Sequence, residues 1–328
     1  MTMTSEIRVE SGLAIHGGVG TISADRMSAD LKAAYEEALA ASLLAGHEVL
    51  RGGGSATDGV VAAVSEMEDS PLFNAGRGSN LDERGIVTMD ASLMRGEDRA
   101  AGAVAGVETL RNPIRAAGLV LERSEHVLLI AEGAEAFCRD EGLATEPAGY
   151  FVTERRLADL ERARKRNNER PDVLGDAAHD STPEHPSSRA GTVGAVARDS
   201  TGSLAAGTST GGMANKRWGR VGDSPLVGAG TYASPLCAVS CTGWGERFIE
   251  HAVAYQIHAR MDLAGVSLAE AVRAVLWDEL AARVPRSGGL VAMDAQGHVE
   301  LAFNTPGMYR GWIGEDGRPH VDIYGGRA

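Results

Sequence analysis

The feature that most constrains this chain is the stretch from Pro171 to Arg189. It is rich in Pro, Ser, Asp and His, has few large apolar residues, and lies inside a sequence that otherwise reads as compact. Such a composition cannot build a packed core. A long structureless stretch within a compact domain calls for a reason, such as processing or a lid. Arg155–Arg170, just before it, is densely charged. The expectation is therefore an exposed linker over about 153–190, dividing a helix-rich first part from a strand-rich second part.

Before the linker, Ser11–Ile15 reads as a strand running into His16-Gly-Gly-Val-Gly20. Ser28 caps a helix over Leu31–Leu50 that stops at Gly52-Gly-Gly54, and Ser55 caps a second helix to about Asp69. A strand over Gly85–Ser92 and helices over Asn112–Arg123 and His126–Glu141 follow. After the linker, Thr192–Asp199, the turn Ser200–Gly202 and Ser203–Thr210 give a hairpin pattern. Then come a strand over Leu236–Ser240, helices over Glu246–Met261 and Ser267–Arg283, and strands over Leu290–Asp294 and His298–Phe303. This order is not a βαβα alternation. It predicts a layered α+β protein with antiparallel pairing.

Charge and cysteine content narrow the function classes. With 32 Lys and Arg against 45 Asp and Glu, the formal charge is −13, the wrong sign for a nucleic-acid or anionic-lipid partner. No apolar run of membrane length and no leader pattern is visible. Cys138, Cys237 and Cys241 form no metal-spaced set, which predicts a reduced, cytoplasmic protein. Gly makes up 42 of 328 residues without a collagen period, so many sites of close backbone approach are expected.

Several motifs carry chemistry or its imitation. Gly207-Thr-Ser209-Thr-Gly211 satisfies G-x-S-x-G, and His16-Gly-Gly-Val-Gly20 imitates the oxyanion loop of serine esterases. The residues after Ser209 are too rich in Gly to form the helix that a nucleophile elbow requires. Gly228-Ala-Gly230 reads as a turn, not a dinucleotide fingerprint. His251 and His258 share one predicted helix face without completing a metal site, and His179 and His185 fall in the linker. Gly191-Thr192, at the junction of linker and strand, is different. Cutting there would expose a threonine whose hydroxyl is a nucleophile and whose α-amine, with a pKa of about 7.7–8.0, is a base within reach. An ordinary strand threonine is the competing reading of these residues.

Long ordered blocks bear on that choice: Gly191–Ala197, Thr208–Met213, Asn215-Lys216, Gly219–Gly230, Ala14–Gly18, Leu72–Gly76, Met89–Ala91, Ala101–Gly106, Arg111–Ile114, Cys241–Gly243 and Phe303–Met308. Together they resemble the plant-type asparaginase/isoaspartyl peptidase family of N-terminal-nucleophile hydrolases, over essentially the whole chain except the linker. The resemblance implies a four-layer αββα sandwich and self-cleavage between Gly191 and Thr192. An α subunit of residues 1–191 and a β subunit of 192–328 would stay together as one folded unit, two of which form a dimer. Thr192 is then the nucleophile, and Thr210 orients it, with Thr208 the weaker candidate. Arg220 holds a substrate α-carboxylate and Asp223 the α-ammonium, the alternative being a structural salt bridge between them. Thr242 and Gly243 form the oxyanion hole, with Gly245 lining the pocket through its backbone.

The resemblance also implies a loop whose backbone carbonyls, at Met67, Glu68, Ser70, Phe73, Ala75 and Arg77, hold a structural sodium ion. No cofactor takes part in the chemistry. The implied substrates are isoaspartyl dipeptides and L-asparagine, cleaved through a β-aspartyl ester on Thr192. A glycosylasparaginase-like amidase is the nearest alternative, and the G-x-S-x-G esterase the alternative of another class. Trp244 departs from the family pattern and predicts extra apolar contact on the leaving-group side of the pocket.

Overall fold

The computed structural model describes residues 7–20, 22, 27–169 and 191–325. Its strands form two sheets in an α+β arrangement. The larger has eight strands, in spatial order β13 (His320–Tyr324), β12 (Gly307–Ile313), β2 (Gly12–Gly20), β6 (Val193–Arg198), β7 (Leu204–Thr210), β3 (Met89–Arg95), β4 (Ala101–Val107) and β5 (Leu128–Ile130). The smaller has five: β1 (Ile7–Arg8), β11 (His298–Phe303), β10 (Gly288–Asp294), β9 (Cys237–Gly243) and β8 (Thr231–Ala233). Pairing is antiparallel throughout except between β4 and β5.

Alternation along the strands divides the interior. Leu13 and Ile15 of β2, Val193, Ala195 and Ala197 of β6, and Ala205 of β7 face helices α1 (Ala29–Arg51), α2 (Ala56–Asp69) and α3 (Pro113–Arg123). The intervening residues Ala14, Val196 and Ala206 point the other way, toward β9 and β10. This is the two-residue period of a sheet buried on both faces. On the far side of the smaller sheet lie α7 (Val253–Ala264) and α8 (Leu268–Arg273), the latter continuing as a π-helical stretch over Ala274–Ala281.

The helix starts follow their sequence signals. Ser28 Oγ accepts from Leu31 N, and Ser55 and Ser267 each form a reciprocal capping box with the acidic residue three positions on. Three expectations change. The region 126–141 begins as the edge strand β5, and its helix, α4 (Ala131–Asp140), starts only afterwards. The helix expected over 246–261 is broken. α6 (Gly245–Glu250) ends at His251, and Ala252 takes φ 46° before α7 begins, so His251 and His258 do not share a helix. The expected exposed linker is α5 (Glu154–Glu169) over most of its charged part. That helix presents Arg156, Asp159, Leu160 and Ala163 inward. Arg156 donates from Nε to the Gly78 carbonyl at 2.5 Å and from Nη1 to Asp159, while Arg155 reaches the Tyr35 hydroxyl at 2.6 Å. Charge density alone hid an inward face whose guanidinium is paired within its own helix. Residues 170–190, including His179 and His185, lie outside the described residues.

Candidate active site

Thr192 immediately precedes β6, with Gly191 before it. It is 6% exposed, and its hydroxyl donates to Thr210 Oγ1 at 3.3 Å. Thr210 is the last residue of β7, the strand paired with β6, and also accepts from Gly212 N at 3.0 Å. The hairpin that the sequence predicted thus brings the two threonines together. Thr208, two residues back in β7, bonds Ser240 instead.

The Gly191–Thr192 peptide is tightly packed. A Cβ on Gly18 would sit 2.6 Å from Gly191 Cα, and one on Gly191 would sit 2.9 Å from Asn74 Cβ. Gly18 has φ +107°, open to glycine but strained for other residues. Asn74 fastens the loop behind this peptide. Its Oδ1 accepts from Asn80 N at 2.7 Å, its Nδ2 donates to Gly212 O at 2.8 Å, and its carbonyl accepts from Gly211 N at 2.9 Å. Lys216 Nζ donates to Gly211 O at 2.8 Å, and burial pulls its pKa down to about 8.

A cavity opens beside Thr192, lined among others by Asn74, Thr210, Arg220, Asp223, Ser224 and Gly243. The alternative reading, a structural Arg220–Asp223 salt bridge, is not the pairing formed. Arg220 donates from Nε and Nη2 to the two carboxylate oxygens of Glu246, at 2.9 and 3.0 Å. Its Nη1 is turned toward Gly212 and Gly222, which leaves the end-on edge of the guanidinium for a second carboxylate. Asp223 is buried, and its Oδ2 has no hydrogen-bond partner. Burial pushes its pKa up to about 7 against the opposing pull of Arg220. A buried carboxyl with one oxygen unpartnered, beside an arginine edge, is the complement of a zwitterionic amino-acid end.

Gly245 leaves room for this pair, since a Cβ there would lie 2.8 Å from Arg220 Nη2 and 2.9 Å from Asp223 Oδ1. Gly243 lines the cavity, and any side chain on it would strike the Ser287 carbonyl at 2.4 Å. Thr242, next to it in β9, is buried, with its hydroxyl accepting from Val19 N at 3.4 Å. Trp244 is not among the residues lining the cavity; its indole lies beneath the Arg247 guanidinium, 4.7 Å from the ring centre.

Ser209 is no nucleophile elbow. It lies within β7, fully buried, and donates to Glu68 Oε1 at 2.6 Å. Glu68 also accepts from Ile114 N at 2.9 Å, and burial raises its pKa to about 8. Gly228 and Gly230 flank a turn into β8, with no helix opening there. Among the described residues, no group of three or more His, Cys, Asp or Glu could hold a metal, and no helix is long and apolar enough to cross a membrane.

Asn74, Glu246 and His16 are the site residues that sequence reasoning missed. Asn74 and His16 stood within family-like blocks but had no role there, and Glu246 had no signal beyond lying in a helical stretch. All three act through contacts between residues far apart in the chain.

A hydroxyl poised at a cavity, with a carboxyl and a guanidinium edge opposite, is equipped to attack the amide of an amino-acid-like substrate. Residues 9–323 match the protein family described as Asparaginase, and the chain belongs to that family. It is 49% identical to an isoaspartyl peptidase of Escherichia coli over 95% of both chains. It is 42% identical to a probable isoaspartyl peptidase/L-asparaginase 2 of Arabidopsis thaliana, covering 95% of this chain and 98% of that one. With an isoaspartyl peptidase/L-asparaginase of Bos taurus it shares 38% identity over 94% of each.

Proposed function

We propose that this protein is an isoaspartyl peptidase/L-asparaginase that cuts itself between Gly191 and Thr192 and then uses Thr192 as an amino-terminal nucleophile. The observation that carries this reading is the convergence of Thr192, Thr210, Arg220, Asp223 and Gly243 on one cavity at the Gly191–Thr192 peptide. After cleavage the new α-amine takes the hydroxyl proton, and Thr192 Oγ attacks the side-chain carbonyl of an isoaspartyl or asparaginyl substrate. The Thr242 hydroxyl and Gly243 amide stabilise the oxyanion. The amine leaves with a proton, and water hydrolyses the β-aspartyl ester. Arg220 and Asp223 hold the substrate's carboxylate and ammonium, with Gly245 giving that end room.

The packing order of helices, sheet, sheet and helices supports the αββα sandwich of the N-terminal-nucleophile hydrolases, with subunits 1–191 and 192–328. A structural sodium ion fits the loop after α2. Met67 and Glu68 lie in the last turn of that helix, and Pro71, four residues after Met67, has no N–H to satisfy its carbonyl. The Glu68 carbonyl itself accepts from Arg77 N at 2.6 Å, closing the loop on itself. Carbonyls of Ser70, Phe73, Ala75 and Arg77 would complete a set suited to a hard cation, whose part would be to hold the loop that carries Asn74. A dimer of such units, working in the cytoplasm on small substrates, completes the proposal.

Denaturing mass spectrometry of purified protein tests it. Two fragments divided at Gly191/Thr192 are expected, Thr192→Ala should abolish both cutting and turnover, and Ser209→Ala should leave both. A single intact wild-type chain that hydrolyses substrate would refute the mechanism.

A further inference from the structure

Between the two sheets, behind the nucleophile, runs a line of hydrogen-bonded side chains. His16 of β2 is fully buried, with Nδ1 3.0 Å from the Thr192 carbonyl and Nε2 2.9 Å from Ser240 Oγ of β9. Ser240 Oγ is 2.7 Å from Thr208 Oγ1, and Thr208 Oγ1 is 2.5 Å from Thr231 Oγ1. Thr231 Oγ1 is 2.8 Å from Ser92 Oγ, which reaches the carbonyl of Ser224 at 2.6 Å. Ser224 lines the cavity next to Asp223. Ser92 has one proton for these two neighbours, so the hydrogen-bonded line is continuous from the nucleophile's backbone as far as Thr231.

The direction of every hydrogen bond from His16 to Thr231 follows from its first acceptor. A carbonyl oxygen can only accept, so His16 Nδ1 carries the proton. Burial keeps the ring neutral, drawing its pKa down to about 3. Nε2 is then an acceptor, and Ser240 Oγ, 2.9 Å from it and 3.1 Å from the Gly207 carbonyl, donates along the shorter contact. Each hydroxyl has one proton, so Thr208 must donate to Ser240, and Thr231 to Thr208. The two sheets approach closely enough for this only because β6 carries Gly194 opposite His16. A Cβ there would lie 2.0 Å from Ser240 Oγ and 2.6 Å from His16 Nε2.

We infer that His16 is a positioning residue for Thr192: the chain Ser240–Thr208–Thr231 fixes its Nδ1–H tautomer, and the ring holds the nucleophile's carbonyl so that the Thr192 side chain meets the substrate in one orientation. This rests on the reading of Thr192 as the nucleophile. No proton is passed along the chain during the reaction; its effect is on geometry. Because aligned hydroxyls polarise one another, removing a distant link should weaken the bond to Thr192 without touching the cavity.

Two measurements test the inference. In the mature wild-type protein, ring ¹⁵N shifts of His16, assigned by their loss in His16→Asn, should show a neutral Nδ1–H tautomer that does not titrate between about pH 5 and 9. An Nε2–H tautomer or a titrating ring overturns the proposal. Ser240→Ala and Thr208→Val, neither of which lines the cavity, should each lower kcat about five- to tenfold with KM within about threefold, since a small misplacement of a nucleophile acts on the chemical step. His16→Phe should lower kcat at least about fiftyfold, and His16→Asn, which restores one N–H donor, should recover part of that loss. Wild-type kcat in Ser240→Ala and Thr208→Val overturns the proposal, as does equal loss in His16→Phe and His16→Asn. Activity surviving in Thr192→Ala would instead refute the underlying mechanism, an outcome that the tautomer measurement does not depend on.

Discussion

Asp223 shows how burial sets a residue's working range. Its carboxyl is pushed up to about 7 because it has left water and its Oδ2 has found no partner. A protonated carboxyl cannot pair with an ammonium group, so binding weakens as pH falls. Asp223 should therefore lower kcat/KM, which reports free-enzyme groups, by about a further tenfold per pH unit below about 7, beyond the fall that protonation of the Thr192 α-amine causes. In kcat the same limb should move to lower pH, because the bound ammonium stabilises the carboxylate. The limb of the Thr192 α-amine should appear in both profiles. An acid limb of kcat/KM that coincides with that of kcat would remove Asp223 from the binding role. Trp244 makes the opposite point. The sequence predicted it on the leaving-group side, but its ring is occupied by Arg247 outside the cavity lining. Trp244→Thr should thus cost the cation–π contact, about 0.5–1 kcal/mol. The ratio of kcat/KM for β-aspartyl-leucine and asparagine should change less than about threefold, well short of what a lost pocket wall costs.

At the scale of elements, the glycines of β2 explain why two strands distant in sequence can meet at the peptide to be cut. Gly18, with φ +107°, lies against Gly191 with no room for a methyl group. Gly18→Ala would add both a steric conflict and backbone strain of about 1–3 kcal/mol at the junction. Self-cleavage should slow at least about tenfold in this variant, because displacing the peptide separates its carbonyl from the Thr192 hydroxyl. The time course of fragment appearance by denaturing mass spectrometry measures this, with near-UV circular dichroism checking that the fold is kept. Cleavage at the wild-type rate would show that the clamp is incidental.

The whole molecule is interlocked across the proposed cut. In the eight-strand sheet, β13 and β12 come from the second part of the chain, β2 from the first, β6 and β7 from the second, and β3, β4 and β5 from the first. Three strand-to-strand junctions therefore cross from one part to the other, and β2 is held on both sides. After cleavage the fragments cannot separate without breaking that sheet and its core. They should co-elute in native gel filtration, part only in denaturant, and unfold in a single cooperative transition. Separation under native conditions would show that the two parts fold independently.

What the sequence determined by itself was local. Serine caps fixed the starts of α1, α2 and α8, alternation fixed the β6–β7 hairpin, and the Gly191-Thr192 junction stood out once the surrounding blocks were recognised. Those signals depend on neighbours a few residues apart, where propensity and hydrogen bonding act directly. Tertiary structure decided the partnerships. It turned the charged first part of a presumed linker into the packed helix α5, gave Arg220 to Glu246, and left Asp223 Oδ2 without a partner. It also set His16 of β2 against Ser240 of β9 through the gap at Gly194. Each of these joins residues brought near only by strand order and sheet packing, and the charge state of a buried group depends on that company rather than on its place in the chain.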